Sequence, residues 1–293
     1  MASAIPELSL RQTSSILFIA VDSLIPIRGK SMPGLDEFTA TLDHQGIPAV
    51  WLTSRSRLQF DEPRRKLGHG HPFIAEDGCA ACLPEDYFHL RPESNLSKSQ
   101  KASTIRLGRF TCIPVAESLP AATEALETLS ADTRVPVVPL RSLSLRELVQ
   151  NTGLPEREAE LARQRDFDEV FFFAGVSDQD IQRFLAEAKN RKLQLRQHGV
   201  FWSAAIGAST QRCIRDLSKL YDRALRQHAH IVGVATEDLS QGLFPFCERT
   251  ILLARRAPDS DSTSLAPNPR ARGLELRAPD LWDHVIEALS TKN

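Results

Sequence analysis

The chain has 293 residues, of which 42% are hydrophobic and 25% are charged, and its formal net charge is -1. This length is enough for two domains, since domains usually run to about 100 to 200 residues, and the composition is typical of a globular protein. A net charge so close to zero gives no electrostatic reason to expect a nucleic acid or an anionic membrane surface as partner.

The N-terminal segment, residues 1–15, is polar, and the first apolar run, 16–21, is far shorter than a signal-peptide core or a bilayer span. We therefore expect a cytoplasmic protein with no membrane partner. The cysteines are odd in number and scattered, which predicts reduced core residues rather than a disulfide framework. They are Cys79, Cys82, Cys112, Cys213 and Cys247.

The chain begins with the pattern of a strand, a helix and a second strand. Residues 15–21 form a continuous apolar and β-branched run, as in a strand buried on both faces of a parallel sheet. Apolar residues recur at helical spacing over 35–42, and residues 49–52 form the next apolar run. This order predicts a βαβ unit, whose crossover is almost always right-handed.

The same pattern returns near the C-terminus. A long apolar stripe over 213–224 predicts a helix, and the runs 230–235 and 250–253 predict two more buried strands. A closing helix is predicted over 281–289. Both ends of the chain therefore predict the two halves of one parallel sheet.

The middle of the chain has a different pattern, in which short predicted strands and helices alternate. We predict an α+β domain over 86–203, inserted into a core that consists of residues 1–85 and 204–293. Residues 257–273 are rich in proline and serine and predict a mobile surface loop. The strands predicted in the middle are 110–115, 135–140, 170–174 and 193–201.

The first two cysteines lie near other residues of the kind that bind a metal. Cys79 and Cys82, with His69 and His71 upstream, have residue types that bind zinc. If residues 78–83 form a strand, however, two residues three positions apart point to opposite faces of the sheet and cannot share one ion. We interpret both cysteines as core thiols. A search for other short catalytic motifs does not indicate an enzyme.

Six segments, in matching order along nearly the whole chain, resemble the mannosyl-3-phosphoglycerate phosphatase family of the haloacid dehalogenase (HAD) superfamily. The resemblance implies a Rossmann-like core with a parallel sheet, an inserted α+β cap of the C2 type, and a ligand held between core and cap. The segments are ILFIAVDSLIP, GIPAVWLTSRSR, HPFIAEDGCAACLPEDYF, SLRELVQNTGLPEREAELARQRDFDEVFFF, GVFWSAAIGASTQRCIRDLSKLY and RAPDLWDHVIEAL.

The resemblance places the catalytic residues of such phosphatases after the first strand. Family members carry Asp-x-Asp-Gly-Thr there, where the first aspartate attacks phosphorus and the second acts as acid and base. Here the nucleophile position is Ala20, the second aspartate is retained as Asp22, and Ser23 and Leu24 replace the glycine and threonine. A methyl group cannot attack phosphorus, so the resemblance implies the loss of covalent catalysis.

The next two motifs of the resemblance follow the second strand and open a long helix. The hydroxyl residue that ends the second core strand is intact as Thr53, which Ser54 follows. The lysine that normally opens the helix falls on Thr210, with Arg212 two residues later as an imperfect substitute. We list Ser54 and Arg212 as candidate ligand-binding residues, together with Arg55.

The fourth motif supplies the acids that hold Mg²⁺ in such phosphatases. Aligned without gaps, its two aspartates fall on Thr236 and Ser240, so Asp22 is left without them. Glu237 and Asp238 rebuild part of a metal site if the loop is shifted. The competing interpretation is that both acids open a helix, where they face the positive end of its dipole.

The resemblance also assigns ligand contacts on both sides of the predicted cleft. Arg165 and Glu169 match a cap segment that grips the sugar and glycerate, and an arginine can bind a carboxylate or phosphate bidentately. Val200 and Ser203 stand where family members more often have a basic residue and a histidine. The candidate ligand residues on the core loop that faces the cap are Glu76, Asp77 and Gly78.

Three functions remain open from the sequence. The first is a catalytically degenerate phosphatase homologue, a pseudoenzyme, that binds a phosphorylated sugar or glycerate, or a protein partner, in a regulatory role and needs no cofactor. The second is an active Mg²⁺-dependent phosphatase with a rebuilt site around Asp22, Glu237 and Asp238. The third is an interaction protein whose cleft is vestigial.

Overall fold

The computed structural model describes residues 15–88, 104–254, 272–275 and 280–290. The strands are β1 (Ser15–Ala20), β2 (Ala49–Leu52), β3 (Phe73–Ala75), β4 (Ala80–Pro84), β5 (Ile105–Leu107), β6 (Phe110–Pro114), β7 (Val137–Pro139), β8 (Glu169–Phe173), β9 (Leu193–His198), β10 (Phe201–Ile206), β11 (His230–Thr236), β12 (Arg249–Ala254) and β13 (Arg272–Glu275). The helices are α1 (Leu35–His44), α2 (Arg57–Lys66), α3 (Leu119–Thr133), α4 (Leu145–Thr152), α5 (Glu156–Arg163), α6 (Asp178–Asn190), α7 (Thr210–Leu225), α8 (Glu237–Ser240) and α9 (Leu281–Ser290).

A large sheet with the order β13-β12-β11-β1-β2-β3-β4-β6-β5 forms the core. Its first six strands are parallel, and β1 lies at the centre between β11 and β2. Alternate residues of β1 enter two different apolar clusters, so Leu17 packs on one side of the sheet and Phe18 on the other. The α/β fold predicted from the two ends of the chain is therefore confirmed.

The parallel arrangement positions the candidate site. The carboxyl ends of parallel strands meet at one edge of a sheet, and ligands of such folds bind outside that edge. Asp22 follows β1, Thr53 follows β2, and Thr236 ends β11. These three residues of separate sequence motifs therefore reach the same edge.

The large sheet includes residues that the sequence analysis assigned to the inserted domain. Strands β5 and β6 pair antiparallel with each other, and β6 pairs with β4. The boundary predicted at residue 86 therefore lies between strands of one sheet, which extends to Pro114. A short apolar run such as 110–114 predicts a strand but does not reveal the sheet in which the strand is paired.

A four-stranded antiparallel sheet, in the order β7-β8-β10-β9, forms the cap. Helices α3 and α6 pack on one face of this sheet, and α4 and α5 pack on the other. The single strand predicted over 193–201 is in fact two strands, β9 and β10, paired as a hairpin. Gly199 permits the turn between them, since its φ of 65° is accessible to glycine at little cost.

The predictions of a surface loop and of no membrane span can each be compared with the described residues. The loop predicted over 257–273 lies outside them except for Arg272 and Gly273, which belong to β13. None of the helices in the described ranges has the length and hydropathy of a transmembrane segment.

Cys79 and Cys82 enter different apolar clusters, which agrees with their interpretation as core thiols.

Candidate functional site

A cavity of about 150 Å³ lies where the carboxyl edge of the large sheet meets the cap. The motif positions named from the sequence converge there: Ala20, Asp22, Thr53, Ser54 and Thr210 all line it. The cavity also contains Asp77 and Gly78 from the core, Asp238 from α8, and Arg196 from the cap strand β9.

The carboxylate of Asp22 is already bound by groups of the protein. Thr53 Oγ1 donates a hydrogen bond to Oδ1 at 2.5 Å, and the backbone N and the Oγ of Ser54 each donate to Oδ2 at 2.7 Å. Arg55 Nε lies 3.8 Å from Oδ1. Both oxygens of the retained aspartate therefore have protein donors that hold the side chain in place.

Ala20 ends β1 and is 6% exposed. Its methyl group lines the same cavity as Asp22. Nucleophilic catalysis by this family requires a carboxylate at this position, and a methyl group has no lone pair to offer phosphorus. The cavity therefore lacks an attacking side chain at the point where the resemblance implies one.

The fourth motif contributes hydroxyl groups in place of carboxylates. Thr236 Oγ1 donates to Ser23 Oγ at 3.2 Å, and Ser23 Oγ donates to Asp238 Oδ2 at 3.3 Å. Ser240 is fully buried and donates to the backbone oxygen of Glu237 at 2.8 Å. As expected for the competing interpretation, Glu237 and Asp238 occupy the first turn of α8.

These residues do not fit the divalent cation site that the resemblance implies. Mg²⁺ is held by carboxylates together with water and substrate oxygens. Asp22, Asp77 and Asp238 line the cavity, whereas Glu237 is exposed and does not. In the described residues, the ligand atoms of these three acids do not all lie within 4.8 Å of one another. With Thr236 and Ser240 in place of two acids, the cavity does not provide the carboxylate set of the phosphatase metal centre.

In the part of the chain that the structure describes, three potential metal ligands lie within 4.8 Å of one another only at Glu76, Cys79 and Asp168. This cluster is buried, and its acids have other partners. Arg165 binds the Asp168 carboxylate through Nε and Nη2 at 2.5 and 2.6 Å. The positive charge beside this cluster is therefore supplied by the guanidinium of Arg165.

Glu76 joins the core to the cap. It is 0% exposed, and its carboxyl oxygens accept hydrogen bonds from the backbone N–H groups of Asp166, Phe167 and Asp168. The ligand-binding role expected for Glu76 and Arg165 is not tested by these contacts. Neither side chain is among the residues that line the cavity, and Arg165 Nη2 donates to Ser54 O at 2.8 Å.

Three further candidate residues do not line the cavity. Arg55 is buried and donates to the backbone oxygen of Ile25. Glu169 lies in the cap, where Thr123 Oγ1 donates to it at 2.7 Å and Arg141 Nε lies 2.6 Å away. The side chain of Arg212 is 48% exposed, so the structure does not bring it to Thr210 as a substitute for the family lysine.

The cap contributes two side chains that the sequence analysis missed. Arg196 Nη1 donates to the backbone oxygen of Asp77 at 2.5 Å, and His198 Nε2 lies 2.7 Å from Asp77 Oδ2. The signal was present in the run LQLRQH, because alternation in a strand places Gln194, Arg196 and His198 on one face. Burial lowers the pKa of His198, but the hydrogen bond with Asp77 and the negative charges of Asp77 and Asp22 together raise that pKa above its ordinary value.

Gly78 allows α7 to approach the cavity. A Cβ at this position would lie 2.5 Å from the backbone N of Thr210, and the φ of Gly78 is 92°. Both the close approach and the positive φ require glycine. The core loop and the first turn of α7 are therefore in direct contact beside Asp77.

Comparison with known proteins gave relatives in sequence and in structure, although no family model matches the chain. A glucosyl-3-phosphoglycerate/mannosyl-3-phosphoglycerate phosphatase from Methanococcoides burtonii is 24% identical over 265 residues, covering 89% of this chain and 90% of that protein. A protein of the same description from Persephonella marina is 24% identical over 193 residues, covering 65% of this chain and 66% of its own.

Solved structures show the same fold. A protein from Thermoplasma acidophilum has a TM-score of 0.61 at 12% identity, covering 94% of this chain and 98% of its own. A phosphatase of the HAD superfamily from Bacteroides thetaiotaomicron has a TM-score of 0.59 at 14% identity and covers 98% of both chains. The chain therefore has the fold of the HAD phosphatases with an inserted cap.

The sequence matches place the resemblance more narrowly. The similarity to the phosphatases of glucosyl- and mannosyl-3-phosphoglycerate extends over most of the chain, so the resemblance to the mannosyl-3-phosphoglycerate phosphatase family is confirmed.

Proposed function

We propose that this chain is a non-catalytic homologue of the HAD sugar phosphatases, and that its cleft binds a small phosphorylated sugar or glycerate in a regulatory role. The observation that carries the proposal is Ala20 at the cavity wall, beside an Asp22 whose two oxygens are occupied by Thr53 and Ser54. A site of this kind holds its shape without a metal, yet it lacks an attacking group.

The cavity offers donors for an anionic group. Arg196 supplies a guanidinium that is 39% exposed, and Thr210 supplies a hydroxyl at the start of α7. The N–H groups of the first turn of a helix add a partial positive charge. Asp22, Asp77 and Asp238 all line the cavity and oppose an anion, so binding depends on the positive charge of Arg196 and on the raised pKa of His198 beside Asp77.

The volume supports a compact ligand group. Pockets that enclose a drug-sized ligand usually measure roughly 300 to 1000 Å³, whereas this cavity measures about 150 Å³. It accommodates a phosphate or a phosphoglycerate end rather than an entire glycoside, unless the cap moves. The sugar portion would then lie along the cap.

Position 203 supports a role for Arg196 in the cleft. Ser203 is directly opposite Arg196 in the β9–β10 pairing, so the two side chains share the face of the cap sheet that looks toward the core. Family members more often have a histidine at this position. Serine is smaller than histidine and offers a hydroxyl in place of an imidazole, which supports a changed set of ligand contacts.

One observation favours the second candidate, an active hydrolase with a rebuilt site. Asp22 and Asp238 line the same cavity, and two carboxylates with water can bind Mg²⁺. This alternative still needs water as the attacking group. It is weaker because Glu237 does not reach the cavity and Asp22 is held by three donors.

The proposal is tested by incubating the purified protein with mannosyl-3-phosphoglycerate, with and without Mg²⁺. We expect no release of phosphate, and we expect thermal stabilisation by the ligand that does not require the metal. A ligand at one hundred times its dissociation constant adds about 2.7 kcal/mol to the free energy of unfolding. Rapid hydrolysis with Mg²⁺, abolished by Asp22→Asn, would establish the alternative, and a protein that no sugar phosphate stabilises would indicate a vestigial cleft.

Ala20→Asp is expected to leave the protein inactive. The substitution restores the family nucleophile, but Thr210 does not provide the lysine that would offset its charge, and Thr236 and Ser240 do not provide the acids that would hold Mg²⁺. Placing a second carboxylate beside Asp22, at a position only 6% exposed, should also lower the free energy of unfolding by about 1 to 3 kcal/mol. Phosphate release and urea unfolding measure the two effects. Turnover in Ala20→Asp with Mg²⁺ would show that the remaining site is competent.

A further inference from the structure

Two cysteines of the core sheet face each other across neighbouring strands. Cys82 in β4 is the register partner of Cys112 in β6, and the Sγ atoms are 3.2 Å apart. Both residues are 0% exposed. The remaining described cysteines have no such partner: Cys79, Cys213 and Cys247 each lie elsewhere in the packing.

The hydrogen-bond pattern shows which kind of pair they form. Val115 N donates to Cys79 O at 2.8 Å, so positions 79 and 115 form a hydrogen-bonded pair of this antiparallel ladder. Such pairs alternate along the ladder, which makes Cys82 and Cys112 a non-hydrogen-bonded pair. The Cα atoms of these pairs are about 4.5 Å apart. This separation lies within the range of about 4.4 to 6.8 Å that a disulfide spans.

We propose that Cys82 and Cys112 form a redox-active pair that closes to a cross-strand disulfide when a small-molecule disulfide, such as oxidised glutathione, reaches it. One thiol loses its proton and attacks the small disulfide, forming a mixed disulfide and releasing one thiolate. The second cysteine then attacks its partner sulfur and releases the second thiolate. The protein loses two electrons and two protons, and the small disulfide is reduced to two thiols.

The bond would join the strand that follows the cavity loop to the strand that leads into the cap. Strand β4 follows the loop that carries Asp77 and Gly78, and β6 leads through Val115 into the cap. The two cysteines are 30 positions apart, so a disulfide would also constrain a long loop of the unfolded chain. Oxidation is therefore expected to stabilise the region that connects the cavity loop to the cap.

Burial controls how readily the reaction occurs. Burial raises the pKa of the Cys82 thiol, and the thiolate is the attacking species. Oxidation of the folded protein is therefore expected to be slow and to need local separation of β4 and β6. Refolding in the presence of oxidised glutathione should form the bond more rapidly, because both thiols are then exposed.

The test refolds the full chain with either oxidised or reduced glutathione, blocks free thiols, and maps the peptides by mass spectrometry. We expect a peptide linked through Cys82 and Cys112, and a higher melting temperature for the oxidised protein. Cys112→Ser should lose both the link and the redox dependence, whereas Cys247→Ser should retain both. Cys82→Ala serves as a second variant if Cys112→Ser does not fold.

The proposal is overturned if the wild-type protein yields no Cys82–Cys112 peptide, if the oxidised chain links other cysteines instead, or if both forms melt at the same temperature. Peptide mapping of the wild type alone decides the first two outcomes, so the test does not depend on the folding of a variant. The result is also independent of ligand binding in the cleft.

Discussion

Glu76→Ala is expected to lower the free energy of unfolding by at least about 3 kcal/mol, because three backbone N–H groups lose their acceptor and each unsatisfied buried polar group costs about 1 to 3 kcal/mol. Glu76 is 0% exposed and accepts from the backbone N–H groups of Asp166, Phe167 and Asp168 at 3.0, 2.8 and 3.0 Å. Alanine leaves all three without an acceptor and removes a contact between core and cap. Urea unfolding followed by tryptophan fluorescence measures the loss.

Glu187→Ala provides the matched control. Its carboxylate forms an ion pair with Arg191 on the exposed face of α6, where solvent replaces the lost contact. We expect a change much smaller than that of Glu76→Ala. Equal unfolding midpoints for the Glu76 variant and the wild type would show that the three hydrogen bonds do not hold the cap.

The same residue predicts a pH dependence. Burial, and then the neighbouring Asp168 carboxylate, raise the pKa of Glu76 from 4.5 to about 8. Because the folded state favours the protonated acid, its contribution to stability is complete below pH 4.5 and is lost as the pH rises towards 8. Glu76→Gln keeps a neutral side chain, so the stability of the wild type relative to this variant should fall between pH 5 and 8. A difference that is constant over that interval would contradict a protonated Glu76.

Arg196→Ala is expected to weaken the binding of a phosphoglycerate by about 10- to 150-fold. A hydrogen bond to a charged group contributes about 1.5 to 3 kcal/mol, and each 1.4 kcal/mol is a factor of ten in affinity. Arg196 is the cap arginine that lines the cavity. Titration calorimetry with 3-phosphoglycerate measures the change.

Arg212→Ala is the control for Arg196→Ala. Arg212 is also half exposed, but it lies outside the cavity and pairs with Asp216 at 3.8 Å. The affinity of the control should match that of the wild type. In the wild type, affinity should fall as the pH rises through the pKa of His198, because the neutral ring no longer offsets the charge of Asp77. Equal losses in both arginine variants would indicate a general charge effect.

The parts of the fold that depend on local pattern could be predicted from the sequence. The apolar runs at β1, β2 and β11 are buried on both faces, which is why a continuous run identified them as strands of a parallel sheet. The sheet partners of β5 and β6 could not be predicted in this way. Pairing is set by contacts between distant segments, and a five-residue run does not encode its neighbour.

The residues of the candidate site likewise fall into those that the sequence could place and those that it could not. Asp22 and Thr53, which each follow a strand, line the cavity because strand ends fix their position. The ligand contacts expected of Arg165 and Glu76 stay predictions, since both side chains are buried and bound by groups of the protein. Residue type alone does not distinguish a charge that faces a cleft from one that is neutralised inside the protein. Arg196 was missed because the hairpin was interpreted as one strand.

Successive side chains of β9 point to opposite faces of the cap sheet, so substitutions on the two faces are expected to have different effects. Leu193 and Leu195 pack inside the cap, while Arg196 and His198, on the opposite side of the strand, face the core. If the cleft binds a ligand as proposed, substitutions on the side that faces the core would change the ligand contacts while the cap interior stays intact. An insertion or deletion within the strand would instead invert both sides at once, exposing leucines and burying cations. Diversification of this cleft is therefore expected through single substitutions and not through changes of length.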